Sequence, residues 1–127
     1  MKLIHLIAAI TLSMSGHVFA AAGHDHGHEH QSLHGGVVTA VKDMDYELVT
    51  KPDFIQLHLR DHGKPIDVAN VSAKLTILVG TAKQEIELKP AGQWLEAKGN
   101  FKVNGGKAVA LVSFKGKPPV SVRFMLK

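Results

Sequence analysis

"FIQLHLRDHGKP", residues 54–65, sets the reading of this chain. Ile55, Leu57 and Leu59 alternate with Gln56, His58 and Arg60. That period of two belongs to a strand with one face in a core and the other toward water. "DHGKP" (61–65) then reads as a turn.

The same alternation returns on both sides. Ala73, Leu75, Ile77 and Val79 form an apolar stripe in "VSAKLTILV" (71–79). Val120, Val122, Phe124 and Leu126 form another in "VSVRFML" (120–126), with Ser121, Arg123 and Met125 facing out. Shorter β-type runs lie between, "GVVTAV" (36–41), "YELVT" (46–50), "KQEIELK" (83–89), "QWLEAKG" (93–99) and "KAVALVSF" (107–114). Gly105-Gly106 and "KPP" (117–119) punctuate them. No helical period persists beyond the first twenty residues. The spacing predicts an all-β domain over 36–127, an immunoglobulin-like antiparallel β-sandwich of about seven or eight strands. Trp94 is expected to plug the core at its edge. The core stripes are aliphatic, so the fold itself is expected to be indifferent to pH.

The first twenty residues follow another plan. Lys2 precedes the apolar run "LIHLIAAITL" (3–12), and small residues follow at "VFA-AAG". This is the layout of a secretory signal peptide over 1–20, and the run is about half the length that spans a bilayer. Cleavage after Ala20 predicts export to a bacterial periplasm with no stable membrane anchor afterwards. The mature chain then carries fourteen basic residues against eleven acidic ones, a net +3 with histidine neutral. Its lysines are scattered, which speaks against nucleic acid as a partner. The absence of cysteine excludes disulfides, thiolate metal sites and a cysteine nucleophile.

Between signal and domain lies "GHDHGHEHQSLHGG" (23–36), holding five of the nine histidines. The segment 21–35 has too little apolar content to fold alone and is expected to be mobile. Imidazole suits borderline divalent ions and is mostly neutral near pH 7. His24, His26, His28, His30 and His34 are therefore candidate metal ligands, with Asp25 and Glu29 as oxygen ligands or acceptors for an imidazole N–H. Copper(II) and zinc are the favoured ions, with nickel or cobalt also compatible. His58 and His62, near Asp61, form a candidate second site. Cleavage after Ala21 would instead put His24 third, making a square-planar four-nitrogen site for copper(II) or nickel(II). Cleavage after Ala22 loses that motif.

From His34 onward, "HGGVVTAVKDMDYELVTKPDFIQLHLRDHGKPIDVANVSAKLTIL" resembles small periplasmic proteins of bacterial heavy-metal resistance systems. It is also similar to the N-terminal extension of periplasmic adaptor subunits of heavy-metal resistance–nodulation–division pumps. There a histidine-rich stretch precedes "HGG", a "YELV"-like strand and a "DxxGKP" turn. The resemblance carries metal binding over to His24, His26, His28, His30 and His34 alone. The adaptors' helical hairpin and lipoyl-like domain have no counterpart here. The resemblance thus implies a free-standing metal chaperone, buffer or sensor, with an efflux pump or its adaptor as partner. The alternative is a non-catalytic module that docks on an envelope or efflux complex, with the histidines incidental. No serine, histidine and acid constellation is present, and an enzyme is not expected.

Overall fold

The computed structural model describes residues 30–127. The signal peptide and cleavage readings therefore fall outside the described residues. Nine strands form: β1 (Val37–Val41), β2 (Met44–Thr50), β3 (Phe54–Asp61), β4 (Lys64–Pro65), β5 (Val71–Val79), β6 (Ala82–Ala91), β7 (Trp94–Lys98), β8 (Lys107–Phe114) and β9 (Val120–Met125). Every pairing is antiparallel. The spatial order is β1-β2-β3-β7-β6-β5-β8-β9, with the short β4 beside β3.

The all-β, antiparallel expectation holds, and the stretch read as the turn "DHGKP" adds one strand. His62 (φ 50) and Gly63 (φ 81) occupy the left-handed region between Asp61 and Lys64. Two such residues make the tight turn whose twist matches a hairpin, so Lys64 and Pro65 fold back onto Asp61 and Arg60.

β5, β6 and β7 are joined by two-residue turns, and β8 returns to pair with β5. That is a Greek key. The pairing is one continuous path because β6 belongs to both halves. Ala82–Leu88 pair with β5, and Lys89–Ala91 pair with β7. Pro90, which has no N–H to offer a ladder, sits where β6 has left β5. The sheet nearly closes on itself. At the seam Thr39 Oγ1 of β1 donates to the carbonyl of Arg123 in β9 at 2.7 Å.

The predicted stripes are the core. Ile55, Leu57 and Leu59 are buried together with Ala73, Leu75, Ile77, Val122 and Phe124. Tyr46, Leu48, Leu88, Leu95 and Val112 complete the packing. Each fully buried aliphatic side chain contributes roughly 1.5–3 kcal/mol. With no disulfide in the chain, this burial is the main offset to the ordering entropy.

Trp94 departs from expectation. Its neighbours Leu95 and Ala97 face the core, so alternation places Trp94 and Glu96 on the outside of the sheet. There it packs on His58, with ring centroids 5.3 Å apart.

Candidate functional site

The outer face of β2 and β3 was expected to be wet, and it is covered. Register sets Asp45 opposite Arg60 and Glu47 opposite His58. Over them runs the end of the histidine-rich segment, residues 30–36, as a strap. Glu47 is fully buried and Arg60 is 3% exposed, although both alternate to the side away from the core.

Glu47 fastens the strap. Its Oε1 accepts from the backbone N–H of Leu33 (3.0 Å) and from Arg60 Nη1 (2.9 Å). Its Oε2 accepts from Ser32 Oγ (2.9 Å), the N–H of His34 (2.8 Å) and the N–H of Gly36 (2.9 Å). Arg60 Nη2 adds a bond to the carbonyl of Gln31 at 2.7 Å. Burial alone would raise the Glu47 pKa. The Arg60 guanidinium and the backbone donors of Gly36, Leu33 and His34 outweigh it and hold the carboxyl at about 2. Gly36 is required by space, since a Cβ there would stand 2.4 Å from the carbonyl oxygen of Leu48.

Two imidazoles of the segment meet the sheet. His30 Nδ1 lies 2.5 Å from Asp45 Oδ1. His34 stacks on His58, with centroids 3.8 Å apart and planes 16° from parallel. His58 is 7% exposed, not the surface histidine that alternation suggested, because the His34 and Trp94 rings cover it. Its Nε2 meets Gln56 Oε1 at 3.0 Å, while Gln56 Nε2 donates to Glu96 Oε1 at 2.8 Å. The carboxylate can only accept, which fixes the amide and makes His58 Nε2 the donor. Burial first, then the neighbouring His34 and Arg60, push the His58 pKa down to about 4, against an opposing pull from Glu47. The expectation of a pH-indifferent fold therefore gives way: a titratable layer lies on the sheet outside the aliphatic core.

His58 and His62 stand in different settings. His62 is exposed in the β3–β4 turn, with its Nδ1 2.6 Å from Asp61 Oδ1. Three residues, Leu59 to Asp61, separate the two, a span of about 13 Å at ordinary strand rise. Among the described residues no group of three or more His, Asp or Glu side chains is placed to hold a metal ion. His24, Asp25, His26, His28 and Glu29 lie outside the described residues.

The sequence reading assigns no site role to Asp45, Glu47, Arg60 or Trp94; it places Arg60 on the wet face of its strand and Trp94 at the edge of the core. "MDYELVT" carries a signal for two of them, since Asp45 and Glu47 alternate with Tyr46 and Leu48. Two carboxylates on one strand face, opposite a histidine and an arginine, form a polar layer that a covering segment can use. A cavity of about 200 Å³ remains between the strap and the sheet, lined by His34, His58, Arg60, Pro65 and Trp94 among others. No protein-family model, curated protein or solved structure matches the chain.

Proposed function

We propose that this chain is an exported periplasmic binding protein for divalent transition metal ions, copper(II) or zinc foremost. It would act as a chaperone, buffer or sensor in heavy-metal resistance or efflux. The observation that carries this reading is the fastening of the histidine-rich segment to the domain by Glu47. A linker kept only for solubility has no use for a buried carboxylate that takes three of its backbone N–H groups. A segment that presents imidazoles at a defined place on a rigid sheet does. The Greek key, and the two halves that share β6, support classing the domain with immunoglobulin-like sandwiches.

The test is equilibrium dialysis of the mature chain against zinc and copper(II). Deleting residues 23–34 would strip Glu47 of its partners Ser32, Leu33 and His34, so the cleaner variant replaces His24, His26 and His28 by serine. Loss of most ion uptake with an unchanged β-type circular dichroism spectrum is the expected result. A variant that takes up as many ions as the parent refutes the reading.

One observation favours the docking-module alternative. Leu78 and Met125 stand exposed on either side of Lys107 across β5, β8 and β9, with Leu111 further along β8. A parent chain that takes up neither ion would leave that face as the feature to explain.

A further inference from the structure

We propose that the outer face of β5, β8 and β9, at the end marked by Leu78 and Met125, docks reversibly on an anionic lipid surface. Nothing in this depends on metal binding. Seven basic residues and no acidic one lie between Ala97 and Lys127, the stretch that supplies β8 and β9. Register then sets Lys83, Leu78, Lys107 and Met125 in one row across β6, β5, β8 and β9. Basic and apolar side chains alternate along that row. Their neighbours Ile77, Ala108 and Phe124 are buried, so period-two alternation turns Leu78, Lys107 and Met125 outward. Arg123 stands in the next row, opposite Val109, and Lys127 is exposed two residues beyond Met125.

Charge and exposure name the occupant. Leu78 is 40% exposed and Met125 67%. Among the described residues Lys107, Arg123 and Lys127 form no ion pair. The carboxylate in the Arg123 row, Glu85 on β6, is already engaged by Lys74 and Lys83, each at 3.4 Å. A depression of about 320 Å³ lies between the two apolar side chains, lined also by Lys107, Val109 and Arg123. A lipid interface accepts this mixture. Apolar tips pass below the headgroups, while long basic side chains reach back to the phosphates. Protein interfaces deplete lysine from their centres, and here Lys107 is the centre, which favours a bilayer over a protein partner or a second copy. β8 lies four places from β3 along a path that nearly closes. Docking through β8 therefore leaves the strap and its histidines facing away from the lipid.

The experiment is co-sedimentation of the mature chain with vesicles, in a chelating buffer of low ionic strength so that no metal bridges the two. One set of vesicles holds phosphatidylglycerol and phosphatidylcholine in equal parts, the other phosphatidylcholine alone. Each basic residue at an anionic surface is worth about fivefold in affinity. The three free cations therefore predict binding about 100-fold tighter to the mixed vesicles, and its loss at high salt. Lys107→Ser with Arg123→Ser should weaken it about 25-fold. Leu78→Ser with Met125→Ser should weaken it about tenfold. Lys51→Ser with Lys64→Ser removes the same charge from exposed turns near β3 and should change affinity less than about twofold. Failure to bind the mixed vesicles, or equal binding to both sets, overturns the proposal and leaves the face to an acidic protein. A control pair as damaging as the Lys107 and Arg123 pair shows that net charge alone acts, which also overturns it. So does an unaffected Leu78 and Met125 variant. Sedimentation equilibrium without lipid covers the remaining case: a dimer that the Leu78 and Met125 substitutions dissociate would give the face to a second copy and sink the lipid assignment.

Discussion

Replacing Glu47 by glutamine tests the strap directly. One carboxylate oxygen becomes an amide nitrogen, itself a donor, and faces groups that also donate. If Oε1 is lost, the bonds from Leu33 N–H and Arg60 Nη1 go with it; if Oε2 is lost, those from Ser32, His34 and Gly36 go. Bonds to a charged acceptor contribute roughly 1.5–3 kcal/mol each, so two of them amount to about 3–6 kcal/mol. Leaving the buried Arg60 without its partner costs about 3–5 kcal/mol by the separate measure for broken ion pairs. The strap can peel away and give its donors to water, which caps the loss near the low end. The expected destabilisation is therefore about 3 kcal/mol, a fall of about 1–3 M in the urea midpoint. Hydrogen exchange at the amides of Leu33, His34 and Gly36 should accelerate about 100-fold, because 1.4 kcal/mol is a factor of ten. A loss below about 0.5 kcal/mol, or parent-like exchange at those amides, would refute the claim that Glu47 holds the strap.

The fold should also weaken in acid, in two stages. His58 drops from its ordinary 6.5 to about 4 on folding, so between those values the unfolded chain binds the extra proton and stability falls as pH falls, by roughly 3 kcal/mol in all. Glu47, held at about 2 from an ordinary 4.5, adds a further loss from pH 4.5 downward, with the same sign. Urea titrations at pH 7, 5.5 and 4 check this, and a flat profile over that range contradicts it. Gly36→Ala should loosen the strap while sparing the core, since its Cβ would press on the Leu48 carbonyl at 2.4 Å. A cost of about 2 kcal/mol with unaltered exchange in β5 and β8 is expected; unchanged thermal stability counts against the close approach.

Much of the fold was legible in the alternating stripes. Ile55, Leu57 and Leu59, and Val122 with Phe124, are buried as their period of two requires. Strand order was not legible, because the placement of β7 between β3 and β6 depends on contacts far apart in the chain. The site was readable only at its histidines. Period-two reasoning assigns one face to the core and treats the other as solvated, so His58, Arg60 and Glu47 read as surface groups. A segment folding back across fourteen or so positions, as Leu33 does to Glu47, leaves no periodic mark. Trp94 was misplaced for the opposite reason: its size suggested the core, while its alternation with Leu95 put it outside.

The near-closure of the sheet bears on how the protein behaves beside other copies of itself. An open edge strand presents a row of unpaired N–H and C=O groups that a second chain can extend. Here the first and last strands are the two edges, and they guard each other across the Thr39–Arg123 contact. Partnership between the two ends of the domain means that neither edge is protected until the whole sheet has assembled. A chain caught before that point has both templates on offer, whereas in the finished one they lie side by side at the seam.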